Sequence, residues 1–185
     1  MRTFIAIDLD EGIKKELAAL VEELRPFGKN VRWVGPGGMH LTLKFLGETS
    51  DSGFQEACGA LQQIIGRHPA FSLVLKSTGV FPPGRRDPRV LWVGVEDNPS
   101  LIELQADVER GLEKLGTEKE KREYHPHLTI GRVRFPSRLD ALLAEFEKSR
   151  GRPFGGMRVS RVAFFQSILK PSGAEYTVLA EFRLK

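Results

Sequence analysis

The sequence predicts an α+β fold built as two similar lobes, on three observations. Strand-like and helix-like segments alternate along the whole chain. A His-x-Thr strand occurs twice, at His40 and again 87 residues later at His127. The composition, 41% hydrophobic and 28% charged over 185 residues, is that of an ordinary globular protein. This length suits one domain, or two small lobes sharing a core, and a single two-lobed domain over residues 1–185 is expected.

Each element has its own signal. Thr3 to Asp8 alternates with β-branched and aromatic content and reads as a strand. Asp10 caps a helix in which Ile13, Leu17, Leu20, Val21 and Leu24 recur at helical spacing, and Pro26 and Gly28 end it. Val31 to Val34 reads as a short strand before a Gly-Pro-Gly-Gly turn, and His40 to Leu46 as a strand closing at Gly47. Ser50 or Asp51 caps the next helix, with Phe54, Cys58, Leu61 and Ile65 on one face and Gly66 as its stop. Phe71 to Val80 and Val90 to Val95 read as strands around the loop PPGRRDP. Asn98 and Pro99 start a helix with a stripe of Leu101, Leu104, Val108, Leu112 and Leu115. TEKEKRE is expected to be a solvated linker. His127 to Arg132 reads as a strand, and Ser137 opens a helix through Leu139, Leu142, Leu143 and Phe146. A hairpin closes the chain, Val159 to Leu169 and Tyr176 to Leu184, with its turn at Lys170 to Gly173.

No apolar run is long enough for a signal segment or a spanning helix, so a cytoplasmic protein away from membranes is expected. The single cysteine, Cys58, suits a reducing compartment and reads as a buried thiol. A net charge of +4 leans mildly towards polyanionic partners. More pointed are the groups Arg85, Arg86 and Arg89, then Arg132 and Arg134, then Arg158 and Arg161. Guanidinium groups bind phosphate through paired hydrogen bonds, although any one of these arginines alone reads as a solvated loop charge.

In a strand, residues two apart share a face. His40 therefore lies beside Thr42, and His127 beside Thr129, with the intervening leucine turned to the core. Two facing lobes would combine two imidazoles with two hydroxyls. That set suits hydrolysis of a phosphodiester, in which water loses a proton and the departing oxygen gains one. The hydroxyls can hold the non-bridging oxygens. Lys44 shares the expected face of His40 and Thr42, whereas Phe45 has core parity. Arg132 has the opposite parity from His127 and reaches a phosphate only if the strand bulges or ends at Gly131. Phe81 suits either base stacking or the core, Arg89 is a candidate phosphate contact, and His68 reads as structural. His125-Pro126-His127 also has metal-ligand spacing, with His40 as a third ligand. That alternative stays open, although no acidic residue stands in a ligand position beside either motif and only Glu123 is near.

The segments His40-Leu41-Thr42-Leu43-Lys44-Phe45-Leu46-Gly47 and Pro126-His127-Leu128-Thr129-Ile130-Gly131-Arg132 resemble the paired signature of the two-histidine phosphoesterase superfamily. More narrowly, the chain is similar to the bacterial and archaeal RNA 2',3'-cyclic phosphodiesterases, also called 2'-5' RNA ligases. RTFIAIDL, Val31-Arg32-Trp33-Val34 and Arg89-Val90-Leu91-Trp92-Val93-Gly94 share the likeness, which covers nearly the whole chain. The resemblance implies antiparallel sheets flanked by helices around a central cleft, two pseudo-symmetric lobes, and no metal or other cofactor. It implies a substrate RNA or oligonucleotide with a 2',3'-cyclic phosphate end, opened to a 2'-phosphomonoester, with ligation as the reverse reaction. The family pattern makes the first-motif histidine, here His40, the proton donor and the second, His127, the acceptor. Thr42, Thr129, Lys44 and Arg132 are the expected substrate-binding residues, and a monomer is expected. Two other readings stay in play: an enzyme of the same superfamily acting on a small cyclic nucleotide, and a noncatalytic RNA-binding module.

Overall fold

Nine strands form two antiparallel sheets in the computed structural model, which describes residues 1–84, 87–171 and 173–185. Arg85, Arg86 and Ser172, from the predicted arginine cluster and hairpin turn, lie outside the described residues. The four-stranded sheet has the order β3-β1-β8-β9, from β1 (Arg2–Asp8), β3 (His40–Glu48), β8 (Arg161–Lys170) and β9 (Gly173–Arg183). The five-stranded sheet has the order β2-β6-β5-β4-β7, from β2 (Val31–Trp33), β4 (Phe71–Phe81), β5 (Val90–Val95), β6 (His127–Val133) and β7 (Pro153–Val159). The helices are α1 (Glu11–Leu24), α2 (Asp51–Ile65), α3 (Pro99–Glu113) and α4 (Asp140–Glu147).

The main core draws on both sheets and all four helices. Ile5, Leu41 and Phe164 meet Leu73, Leu91 and Leu128 there, together with Leu17, Leu61, Leu104 and Leu142 from the helices. A second, smaller apolar cluster of Phe4, Ala6, Ala163 and Phe165 covers the other face of the four-stranded sheet, so the middle of β1 is buried on both sides. Among the described residues no helix is long and apolar enough to cross a membrane.

Local chemistry explains most of the element boundaries. The Ser50 hydroxyl accepts from the Gly53 amide at 3.1 Å, and the Asn98 side chain from the Leu101 amide at 3.0 Å, closing the two predicted caps. Asp10 stands at the start of α1 without a side-chain capping bond. Helix α4 begins at Asp140 rather than near Ser137, because Arg138 sits at φ 55° and breaks the helical path. The predicted strand from Val159 divides: Val159 ends β7, a strand the sequence reading lacked, and β8 starts at Arg161. β7 is an edge strand carrying Pro153 and two glycines, one of them Gly155 at φ +105°, which mask its strand signal. The linker TEKEKRE is not simply solvated, since the Glu118 carbonyl and Glu120 amide both bond to buried side chains.

Both His-x-Thr strands bulge at the same place. Against β1, Thr42 pairs with Ala6 and Lys44 with Ile5, leaving Leu43 as the extra residue. Against β5, Thr129 pairs with Trp92 and Gly131 with Leu91, leaving Ile130 extra. A bulge reverses the parity of everything after it. Residues Lys44 and Gly131 therefore turn to the core side, while Phe45 and Arg132 return to the face of the histidines.

Candidate active site

His40 opens β3 directly across from Asp8. Its ring stacks on Phe4 with centroids 4.6 Å apart and on Phe165 at 5.4 Å, and Tyr176 meets it edge-on at 4.9 Å. Burial among these rings lowers its pKa to about 4, outweighing the Asp8 carboxylate, which pulls it up; Lys14 lowers it further. Asp8 is itself held by Lys14 at 3.0 Å.

His127 opens β6 across from Gly94 and is met edge-on by Phe81 at 5.0 Å, with Trp92 at 6.5 Å. Its Nδ1 lies 2.6 Å from the His125 carbonyl oxygen. A carbonyl only accepts, so Nδ1 carries the proton and Nε2 of the neutral ring keeps its lone pair. Burial lowers the pKa of His127; the carbonyl bond opposes the fall, and the charges of Arg132 and His125 add to it. This ring is thus prepared to accept a proton at Nε2.

Thr42 and Thr129 stand one same-face step beyond the histidines, both half-buried. The two strands belong to different sheets yet lie side by side, and side chains fasten them. Tyr124, just before β6, donates its hydroxyl to the Thr42 carbonyl at 3.0 Å, and Gln105 of α3 donates to the carbonyl of the bulge residue Leu43 at 3.2 Å. These bonds satisfy carbonyls of β3, an edge strand of its sheet. Burial pushes the Tyr124 phenol well above its ordinary range.

Lys44 departs from its expected place. The bulge at Leu43 sends its side chain away from the cleft, where Nζ meets Glu109 Oε1 at 2.5 Å and donates to the Glu118 carbonyl at 2.8 Å. Glu109 Oε1 also accepts from the Glu120 amide at 3.0 Å. Lys44 therefore pins the 117–123 segment behind β3 and is not positioned as a substrate contact. Phe45 takes the opposite correction: it is 67% exposed on the histidine face, 5.9 Å from the Phe4 ring, rather than in the core. Arg132 reaches that face through the bulge at Ile130, close enough for its charge to act on His127. Phe81 lies at the site rather than in the core.

His125 is exposed and supplies its carbonyl to His127, and among the described residues no three His, Cys, Asp or Glu side chains are grouped to hold a metal ion. His68 is buried elsewhere, its Nε2 2.9 Å from Asp107. Arg89 is exposed, its amide donating to the Phe81 carbonyl at 2.7 Å. Cys58 is half-buried against the main core, and burial raises its thiol pKa. The rings of Phe4, Phe165, Tyr176 and Trp92, and the Tyr124 tie, were not among the expected site residues. Of these only Phe4 had a sequence signal, a β1 apolar on both faces.

Comparison with known proteins gives one consistent likeness. Residues 6–169 match the model of the 2'-5' RNA ligase superfamily. The chain is 34% identical over 184 residues to a Methanothermobacter thermautotrophicus protein named RNA 2',3'-cyclic phosphodiesterase, covering 100% of this chain and 99% of that one. It is 36% identical over 182 residues to a protein of the same name from Thermotoga maritima, covering 98% and 94%. Among solved structures it is similar to E. coli LigT complexed with 3'-AMP, at a TM-score of 0.83 and 26% identity, over 100% of this chain and 98% of that one.

Proposed function

Because the chain belongs to the 2'-5' RNA ligase superfamily, we propose that it is an RNA 2',3'-cyclic phosphodiesterase that works by metal-independent acid–base catalysis. What carries this reading is the pair of bulged His-x-Thr strands, one from each sheet, lying side by side. In it, His127 Nε2 takes a proton from water as the water oxygen bonds to phosphorus. The bond from phosphorus to the 3'-oxygen breaks, and His40 protonates that oxygen, leaving a 2'-phosphomonoester. The Thr42 and Thr129 hydroxyls donate to the non-bridging oxygens, and Arg132 balances their charge. The order of the two histidines is supported by the His127 tautomer, which leaves a lone pair where a base needs one. Ligation is the same path reversed. The reading takes residues 1–185 as one catalytic unit, cytoplasmic and monomeric, with RNA ending in a cyclic phosphate as its partner.

The test is incubation of EDTA-treated protein with RNA ending in a 2',3'-cyclic phosphate, the product being read by phosphorus NMR. A 2'-phosphate is expected. A 3'-phosphate reverses the assigned leaving group, no reaction sinks the reading, and activity lost to EDTA and restored by zinc moves it to a His125–His127 metal site.

The pH dependence follows from burial of both rings. Both pKa values fall below 6.5 in the free protein, so the bell for kcat/KM is centred on the acid side of that value. A bound phosphate anion favours imidazolium at His40, so the alkaline limb of kcat lies at higher pH than that of kcat/KM. Rate measurements from pH 3.5 to 9 check this, and coincident alkaline limbs above pH 8 contradict it.

A further inference from the structure

The β2–β6 edge of the five-stranded sheet carries three arginines, and the two-histidine chemistry uses only one of them, Arg132. Arg32 and Arg132 are direct cross-strand partners. Arg134 follows Arg132 on the same exposed face, its amide bonded to the Asn30 carbonyl at 2.9 Å. Like charges opposed on neighbouring strands repel one another. Some surface arginines are neutralised by glutamates: Arg25, Arg150, Arg152 and Arg161 each pair with one. Among the described residues, Arg32, Arg132 and Arg134 have no carboxylate within ion-pair distance, so this edge is left cationic beside the site.

The opposite wall differs. At the register position that Arg132 holds in β6, β3 carries the exposed ring of Phe45, backed by Phe4. One wall thus offers cations and the other aromatic faces, the pairing by which single-stranded nucleic acid is held, phosphates on one side and bases on the other. Arg132 is the guanidinium near His127. Arg32 lies one interstrand spacing, about 5 Å, from Arg132, a step on the order of one nucleotide.

Resting on the phosphodiesterase reading above, we propose that Arg32 and Arg134 form a subsite for the internucleotide phosphate 5' of the cyclic end, so that preference for an oligomer over a cyclic mononucleotide resides in these two arginines.

The test compares a 2',3'-cyclic mononucleotide with a trinucleotide ending in 2',3'-cyclic phosphate, at 50 and 200 mM salt, using parent protein, Arg32→Ala and Arg32→Lys. The parent is expected to favour the trinucleotide at low salt, and Arg32→Ala to lower kcat/KM for it by about tenfold. The mononucleotide, too short to reach Arg32, loses less than about twofold, and Arg32→Lys keeps most of the preference. The salt dependence for the trinucleotide flattens in Arg32→Ala by a slope of about 0.7, the loss of one phosphate contact. Equal losses on both substrates, or none on either, overturn the subsite. If the parent turns over neither substrate, the phosphodiesterase reading is what fails. Binding of a trinucleotide with a 2'-phosphate end then decides the subsite separately: weaker binding by Arg32→Ala supports it, and unchanged binding overturns it.

Discussion

Replacing His127 with alanine is expected to lower kcat on a cyclic-phosphate RNA end by about 10²–10⁴-fold, with a much smaller change in KM. In the proposed mechanism the loss falls on the chemical step, because the ring's Nε2 lone pair takes the proton there, and burial keeps that ring neutral near pH 7. Alanine at His40 should cost a similar factor, and the double variant should be little worse than either single one, since the two act in one transition state. A phosphodiester with a nitrophenyl leaving group separates the roles. Such a group departs without being protonated, so His40→Ala should regain most of its deficit on it and His127→Ala should not. The reverse pattern would exchange acid and base.

The second large effect is on stability and lies behind the site. The side chains of Lys44 and Glu109 are only 2% and 13% exposed, and their 2.5 Å contact is a largely buried ion pair behind β3. Removing one member leaves a charge in a place water hardly reaches, at a cost of about 3–5 kcal/mol. For a protein of this size that corresponds to a fall in Tm of roughly 10 °C. Lys44→Ala and Glu109→Ala are each expected to show it in calorimetry. The paired change Lys44→Met with Glu109→Leu should recover much of the loss, because no lone charge remains. Equal destabilisation by the pair and by the singles would mean that the pair matters for packing and not for charge.

Much of this was readable from residue order, and the failures share a cause. His40, Thr42, His127 and Thr129 came out of period two, which holds up to the bulges. Lys44 and Phe45 were exchanged because HLTLKFLG contains no glycine before Gly47 to announce a bulge at Leu43. In β6 the glycine at position 131 did hint at one, and Arg132 was legible on that condition. Phe4 could be seen to lie in a strand but not on which side its ring would work, since β1 is buried on both. Tyr124 was invisible for a different reason: its acceptor is a main-chain oxygen 82 residues away, and no pattern of side chains encodes it.

The bond between His127 and the His125 carbonyl has an evolutionary consequence. The oxygen that fixes the proton on Nδ1 belongs to the main chain, so every residue type at position 125 supplies it. Codon changes there leave this bond in place, although they remove the His125 charge that helps to lower the pKa of the ring. His40 has no such shelter. Its surroundings are the side chains of Phe4, Phe165 and Tyr176, three positions at which drift alters the ring directly. Phe81 and Trp92 expose the His127 ring to drift in the same way, so what sets the two histidines apart is the one main-chain bond that fixes where the His127 proton sits.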